Sequence, residues 1–310
     1  MRLHNNQSEF QGLITLTARE KHIPESAVER DYYIVRALLF LSQSEYVAKC
    51  VFKGGTSLSK CYPGSIERFS EDIDLTFVPD EGMTNKQIEH KLKAIEKLMT
   101  VDAETESIPE ERNERNKSIY FWNGNRDSKI KLEIGSSVRP EPYGSKTLIT
   151  YIQEYLEGRG YSDVLSEYEL KPVTINVLSI ERSFVDKILS VKRHAICGTI
   201  AEKARHIYDV TRLLQLPEIE GFLQNRKELK RLIGLTKQTD SEYLEKRNIP
   251  KEYDPAGVYN FSTWKEAFTT AKDVYEKLHE DLLYTDEKQR FDDAVNAFEQ
   301  INSILTEIGE

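Results

Sequence analysis

Cysteine is scarce in this chain of 310 residues, which contains only Cys50, Cys61 and Cys197. Their odd number and wide spacing predict neither a disulfide framework nor a cysteine-based metal site, so a reducing cytoplasm is expected. Long hydrophobic runs are also missing, because no segment approaches the ~20 apolar residues of a transmembrane helix. The N-terminal residues MRLHNNQSEF lack the apolar stretch of a signal peptide. These absences indicate a soluble, intracellular protein.

An excess of positive charge is absent as well. The formal net charge is −9, which argues against a basic protein that coats nucleic acid. A local basic cleft on an acidic protein can still bind a nucleic-acid substrate. Apolar residues make up 39 % of the chain, which is enough to build a sizeable core. The length predicts one large domain or two ordinary ones.

The hydrophobic pattern changes near residue 180. Before that point strand-like and helical segments are mixed; they include a helix over 26–42, opened by a capping box from Ser26 and Glu29, and a helix over 85–99. Beyond it, helical periodicity dominates, and the predicted helices cover about 181–196, 202–215, 218–232, 263–283 and 287–308. An irregular loop is predicted around Lys251–Gly257. We therefore expect an α/β (α+β) domain at 1–180 and a helical domain at 181–310.

A candidate metal-binding pair lies in Asp72–Phe77, where apolar and polar residues alternate. This period of two predicts a half-buried strand with Asp72 and Asp74 on the same face. Two adjacent carboxylates repel each other unless a cation lies between them. Magnesium suits such a pair, because it binds one or two protein carboxylates together with substrate phosphates. A lone Asp-x-Asp is more often a solvated strand face, so the neighbouring segments decide its meaning.

Glu133 is a candidate third carboxylate. The segment Lys129–Ile134 also alternates, which turns Glu133 and Lys131 away from the core. Together with Ser118–Trp122, this segment predicts a hairpin. Three carboxylates on adjacent strands could hold two metal ions about 3.5–4 Å apart, as in two-metal nucleotidyl transfer. One ion then activates the attacking hydroxyl, and the other stabilises the leaving pyrophosphate.

A glycine turn precedes the carboxylate strand. A buried strand ending at Phe52 and a helix over Leu58–Tyr62 are predicted on either side of a turn formed by Gly54, Gly55, Thr56 and Ser57. Glycine lets backbone N–H groups approach an anion, and a helix N-terminus adds a favourable dipole. This predicts a cradle for a triphosphate, although the spacing is not that of a P-loop. The order of these elements is a far more specific signal for a nucleotide-binding site than any one of them. It runs from a strand through the glycine turn and a short helix to the Asp-x-Asp strand.

Two motifs carry a resemblance to a known family, namely Phe52-Lys53-Gly54-Gly55-Thr56-Ser57-Leu58 and Arg68-Phe69-Ser70-Glu71-Asp72-Ile73-Asp74-Leu75. With them the chain resembles the AbiEii/AbiGii toxin family of the DNA polymerase β-type nucleotidyltransferase superfamily. Its members are bacterial, and many are toxins of toxin–antitoxin pairs linked to phage abortive infection. The resemblance implies a nucleotidyltransferase domain with a mixed sheet, followed by a helical bundle.

The resemblance also implies roles for matching residues. The family's nucleotide-phosphate turn is matched by Gly54, Gly55, Thr56 and Ser57. Its second motif, Ser-x-Asp-x-Asp, is matched by Ser70, Asp72 and Asp74. Lys187 matches a helical lysine implicated in triphosphate binding, and Asp209 matches a late catalytic aspartate. Where the family often has Arg-Asp before this last motif, the chain has Arg205-His206.

Physical alternatives remain open for the residues of the helical part. Lys187 borders an apolar stripe, so it could equally be a lysine whose stem lies on the core. Asp209 has Arg205 and Arg212 at helical spacing, and spacing alone favours a surface ion pair. In the implied site, Asp209 orients Lys187 or acts as a general base. Arg68 either contacts a phosphate or pairs with a neighbouring glutamate, Glu67 or Glu71.

Two histidines and a cluster of basic residues can be explained by ordinary structural roles. His194 and His206 could titrate near neutral pH, although their helical settings favour surface or core histidines. Four basic residues, Arg226, Lys227, Lys230 and Arg231, could follow an RNA backbone, but the intervening Glu228 favours a solvated helix face.

The expected activity is Mg²⁺-dependent transfer of a nucleoside monophosphate from a nucleoside triphosphate to an acceptor hydroxyl, in a cleft between the two domains. The resemblance implies a growth-inhibiting toxin, with the tRNA 3′ end as the best candidate acceptor and an antitoxin encoded nearby as its partner. Two rivals stay open: a nucleotide-binding regulator without transferase activity, and an antibiotic-modifying nucleotidyltransferase.

Overall fold

The computed structural model describes residues 1–244, 253–283 and 290–310. They form two compact units. The first comprises Met1–Cys61 and Phe69–Leu178, and the second comprises Tyr62–Arg68 and Ser179–Glu310. The first unit is mixed α/β and the second is helical, which confirms the predicted fold class.

A mixed sheet of seven strands forms the centre of the first unit. The strands are β1 (Cys50–Lys53), β2 (Asp72–Phe77), β3 (Glu104–Ser107), β4 (Asn116–Trp122), β5 (Ile130–Gly135), β6 (Tyr143–Leu148) and β7 (Val173–Leu178). Their spatial order is β3-β4-β5-β2-β1-β7-β6. Strand β2 lies antiparallel to β1 and parallel to β5, and β4 and β5 form the predicted antiparallel hairpin. The carboxylate strand therefore occupies the middle of the sheet.

The helices of the first unit are α1 (Gln7–Lys21), α2 (Glu25–Ser42), α3 (Gly54–Cys61), α4 (Asn85–Met99), α5 (Tyr151–Arg159) and α6 (Ser162–Glu167). The helix expected over 85–99 is confirmed, with Thr84 and Gln87 forming its capping box. The capping box expected at Ser26 is wrong. Helix α2 begins at Glu25 behind Pro24, whose fixed backbone angle suits a helix start. Helix α1 was not predicted from the sequence.

The helices of the second unit are α7 (Ile180–Ile196), α8 (Ala204–Leu213), α9 (Pro217–Gln224), α10 (Arg226–Leu244), α11 (Lys265–Thr269), α12 (Lys272–Asp281) and α13 (Phe291–Glu307). The single helix expected over 218–232 is two helices, because Asn225 has a non-helical backbone and caps α10 through its side chain. The helix expected over 263–283 is likewise divided between α11 and α12.

Parts of two predicted segments, 251–252 and 287–289, fall outside the described residues. The remainder of the predicted loop, residues 253–257, is irregular as expected. The segment Tyr62–Arg68 precedes β2 in the chain but groups with the helical unit, where Glu67 and Arg68 pair with side chains of α8. None of the described helices is both long and apolar enough to cross a membrane.

Candidate functional site

The carboxylate face of β2 matches the predicted alternation. Asp72 and Asp74 are half-buried, whereas Ile73 and Leu75 are at most 1 % exposed on the opposite, core-facing side. In the sheet register, Asp74 lies directly opposite Glu133 of β5 and opposite Lys53 of β1. Directly paired residues of neighbouring strands project to the same face. A row of charged side chains therefore crosses three strands, with Asp74 in its middle.

The glycine turn is the first turn of helix α3, which begins at Gly54 and not at Leu58 as expected. Gly54 has φ of +84°, and a Cβ atom added to it would lie 2.1 Å from Asp74 Oδ2. The Asp74 carboxylate thus occupies the space that a side chain at position 54 would need. Thr56 Oγ1 donates a hydrogen bond to the backbone oxygen of Asp72, and Ser57 Oγ donates one to the Gly54 oxygen at 2.9 Å. The predicted turn and the predicted carboxylate pair are therefore in direct contact.

Replacing Gly54 by alanine should reduce the nucleotidyl transfer that the resemblance implies by about 100-fold, because displacing a reacting group by about 1 Å has an effect of that size. The new methyl group would have to push the Asp74 carboxylate away. Gly124→Ala is the matched control: Gly124 has φ of +79° but no atom within 4 Å of its added Cβ. Both variants bear the same backbone strain, so similar initial rates in the two would contradict the steric explanation.

Glu133 lies beside Asp74 as predicted, but its carboxylate contacts a cation. Lys131 Nζ is 2.6 Å from Glu133 Oε1 and 2.7 Å from Glu111 Oε2. Burial alone would lower the pKa of Lys131, but these two carboxylates outweigh burial and raise it. Within residues 1–244, 253–283 and 290–310, no three His, Cys, Asp or Glu side chains converge to hold a metal ion. On the sheet face that carries them, the carboxylates of Asp72 and Asp74 could act as oxygen ligands of Mg²⁺.

Ser70 lies in the loop before β2 and lines a small pocket together with Thr56. The neighbouring Glu71 forms an ion pair with Arg30 of α2, and Arg30 also donates a hydrogen bond to the Asp127 backbone oxygen at 3.1 Å. These contacts attach the loop to two other segments of the first unit. Ser70 therefore lies close to Thr56 of the glycine turn.

A buried ion cluster connects three segments of the second unit. Asp209 on α8 is fully buried and accepts two hydrogen bonds from Arg68, at 2.6 Å on Oδ1 and 2.7 Å on Oδ2. Lys187 on α7 is 6 % exposed, and its Nζ is 2.9 Å from Asp209 Oδ2. The structure thus brings Lys187 and Asp209 together, and it adds Arg68 to them.

The structure contradicts two of the alternatives left open for these residues. Asp209 is not a surface residue, and its partners come from outside its own helix, whereas Arg212 pairs with Glu67 at 2.6 Å. Arg68 binds Asp209, whereas the adjacent glutamates bind other residues: Glu67 pairs with Arg212, and Glu71 pairs with Arg30. Spacing along one helix could not reveal these partners, since Arg68 and Asp209 are separated by 141 positions.

Electrostatics favour an ionised Asp209. Burial raises the pKa of this carboxyl, but the adjacent Arg68 and Lys187 cations outweigh burial and hold the pKa below its ordinary value. Both carboxylate oxygens already accept hydrogen bonds. The geometry therefore supports Asp209 in orienting Lys187, and not in accepting a proton from an acceptor hydroxyl.

Neither His194 nor His206 titrates near neutral pH, which agrees with the alternative that their helical settings favour. Burial, assisted by the Lys203 and Arg193 cations, lowers the pKa of His194 to about 4. Burial and the Lys187, Lys203 and Arg68 cations lower the pKa of His206 well below its ordinary value. His206, where the family often has aspartate, is thus a neutral side chain beside the ion cluster.

The basic cluster on α10 has protein partners. Arg231 binds Glu228, Arg226 binds Glu307, and Lys230 donates a hydrogen bond to the Ile308 backbone oxygen. These contacts support the solvated helix face and give no indication of an RNA-binding surface.

A family model matches the part of the chain that contains the motifs. The model of the family described as nucleotidyl transferase AbiEii toxin, type IV TA system, matches residues 36–299. One similar solved structure is MenT4, a nucleotidyltransferase toxin from Mycobacterium tuberculosis; it is 18 % identical, with a TM-score of 0.49, and the match covers 95 % of this chain and 98 % of that chain. Another is JHP933 from Helicobacter pylori, which is 17 % identical, with a TM-score of 0.39 and coverage of 83 % and 95 %. No curated protein is similar enough to count as a match.

Proposed function

Because the chain belongs to the family of AbiEii nucleotidyltransferase toxins of type IV toxin–antitoxin systems, we propose that it transfers a nucleoside monophosphate from a nucleoside triphosphate to an acceptor hydroxyl. The observation that carries the proposal is the contact between Gly54 and the Asp74 carboxylate. A helix N-terminus that can hold phosphates and a carboxylate pair that can hold Mg²⁺ meet there.

Asp72 and Asp74 are the proposed ligands of Mg²⁺. Two carboxylates suffice, because this ion usually completes its octahedron with water and substrate phosphates. Bound Mg²⁺ would supply the charge that activates the hydroxyl and stabilises the leaving pyrophosphate. Glu133 is proposed as a third ligand, which requires its carboxylate to leave Lys131.

The first turn of α3 is the proposed phosphate-binding element. The backbone N–H groups of Gly54, Gly55, Thr56 and Ser57 have no intrahelical partner at a helix start and can donate to phosphate oxygens. Ser70 is proposed to assist them through its hydroxyl. In the reaction, the acceptor oxygen bonds to the α-phosphorus, the bond from that phosphorus to the β-phosphate oxygen breaks, and pyrophosphate departs. The hydroxyl proton passes to solvent.

We propose Lys187 as a further phosphate-binding residue and Asp209 as the residue that orients it. Two observations support this proposal. Lys187 Nζ lies 2.9 Å from Asp209 Oδ2, and the pKa of the buried Asp209 is lowered, which favours its charged form. We also propose that residues 1–180 and 181–310 act as a nucleotidyltransferase domain and a helical domain that contributes both side chains.

The acceptor and the antitoxin are proposed from the family. An RNA acceptor, with the tRNA 3′ end as the first candidate, would explain how nucleotide transfer inhibits growth. A cognate antitoxin encoded nearby would silence the toxin. The basic cluster on α10 does not support RNA binding, so the acceptor would have to be recognised elsewhere.

The experiment incubates the protein with each α-labelled nucleoside triphosphate, Mg²⁺ and total bacterial RNA. We expect one triphosphate to label RNA of tRNA size. Chelation of Mg²⁺ should abolish labelling, and added Mg²⁺ should restore it. Periodate oxidation of the RNA 3′ ends, which destroys the acceptor hydroxyls, should prevent labelling.

Two other outcomes would identify the rivals. Nucleotide binding without transfer to any acceptor indicates the regulator, and transfer to an aminoglycoside in place of RNA indicates the antibiotic-modifying enzyme. Either result would overturn the proposal for RNA.

A further inference from the structure

Two lysines share the sheet face with the carboxylate pair. Lys131 of β5 lies directly opposite Asp72, and Lys53 of β1 lies directly opposite Asp74. Both project to the face that carries the carboxylates, because directly paired residues share a face. They differ in what they contact.

Lys131 already has its counter-ions. Its ammonium group lies between Glu111 and Glu133, within 2.7 Å of each. A phosphate that recruited Lys131 would have to replace two carboxylates. Lys131 is therefore best explained as a residue that positions Glu133.

Lys53 differs from Lys131 in its surroundings. It is half-buried at the end of β1, and within the part of the chain that the structure describes it forms neither an ion pair nor a side-chain hydrogen bond. Its backbone runs directly into Gly54, whose α-carbon lies against Asp74. Lys53 is thus next to the glycine turn in the chain and directly opposite Asp74 in the sheet, and none of the described residues engages its ammonium group.

We propose that Lys53 is a further nucleotide-binding residue whose ammonium group contacts the β- or γ-phosphate of the triphosphate, an inference that rests on the proposed function. A triphosphate brings more negative charge than one bound divalent cation neutralises. Lysine is a compact point charge on a flexible stem and is a common ligand of phosphate groups. Its contact strengthens binding of the phosphate tail and leaves the nucleoside untouched.

The test compares wild type with Lys53→Met, Lys53→Arg and Lys49→Met. Lys49→Met is the matched control, because Lys49 precedes the same strand but is 45 % exposed and pairs with Asp80. Two readouts are measured for each protein: KM and kcat of label transfer, and the Kd of the nucleoside triphosphate and of the corresponding monophosphate. Lys53→Gln is a second neutral variant in case Lys53→Met does not fold, and thermal unfolding verifies the fold of each.

We expect Lys53→Met to raise KM and the triphosphate Kd roughly 10- to 100-fold, the range of a lost charge-assisted hydrogen bond. The kcat should change less than about threefold, since the contact is made equally before and during the reaction. The monophosphate Kd should not change, Lys53→Arg should retain most of the affinity, and Lys49→Met should equal wild type.

An unchanged triphosphate Kd in Lys53→Met would overturn the inference, as would an equal loss of triphosphate and monophosphate affinity. These outcomes differ from failure of the proposed function, in which wild type itself neither binds nor transfers a nucleotide. If wild type binds the triphosphate but transfers no nucleotide, the proposed transferase activity is refuted. The comparison of Kd values still decides the role of Lys53 in that case.

Discussion

Asp74→Asn is expected to lower nucleotidyl transfer by about a thousandfold and to abolish growth inhibition in a bacterial host. Asparagine keeps the volume against Gly54 but removes the negative charge that Mg²⁺ requires. Loss of a single preorganised charge-stabilising group reduces kcat by about 10²–10³-fold, and a metal ligand acts on both the attacking and the leaving oxygen. Initial rates of label transfer and growth curves after induction measure the two effects.

The fold of Asp74→Asn should be intact, because the substitution removes one of two neighbouring carboxylates that repel each other. Asp80→Asn is the control: Asp80 lies beyond the end of the same strand, is 63 % exposed and pairs with a surface lysine. It should transfer nucleotide and inhibit growth as wild type does. More than a tenth of wild-type transfer in Asp74→Asn, or unchanged growth inhibition, would refute the role of Asp74 as a metal ligand.

The second large effect concerns stability. Asp209→Asn should reduce the free energy of unfolding by about 3–5 kcal/mol, because it leaves two buried cations, Arg68 and Lys187, without their shared carboxylate. Chemical denaturation at neutral pH measures this loss. Glu67→Gln is the comparison, since it breaks the ion pair with Arg212 at a site where Glu67 is 35 % exposed. That change should cost no more than about 1 kcal/mol.

Acid titration provides an independent check on Asp209. Its folded pKa lies below the value of about 3.9 in an unfolded chain, so the unfolded state binds a proton more readily at low pH. The stability that Asp209 contributes is therefore complete above its unfolded pKa and is lost as pH falls through the folded pKa. Asp209→Asn should lack this part of the acid dependence. Equal stability of the variant and the wild type at neutral pH would refute the stabilising role of the Asp209 carboxylate.

Removing one of the two cations together with the carboxylate separates stability from activity. In Lys187→Met/Asp209→Asn, the buried Lys187 cation is removed together with its carboxylate, so part of the lost stability should return. Transfer should not return, because Lys187 is the proposed phosphate contact. Recovery of both would show that Lys187 serves the fold alone.

Much of the first unit could be predicted because its signals are local. The alternation in Asp72–Phe77 identified a half-buried strand, and its register confirms the shared face of the two aspartates. The hairpin before Glu133 was predicted in the same way. Predictions were wrong where one local rule competes with another: Ser26 has the composition of a helix cap, but Pro24 begins the helix earlier.

By itself, the sequence determined the strand with its carboxylate pair, the glycine turn and the family, because backbone period, turn chemistry and short motifs depend on neighbours along the chain. Only the tertiary structure decided which charges meet. It placed Gly54 against Asp74 and paired Asp209 with Arg68 and Lys187. It also paired Lys131 with Glu133, whereas Lys53 forms no ion pair with any of the described residues. The physical reason is that an ion pair is set by distances between side chains, and packing brings together charges that lie more than a hundred residues apart.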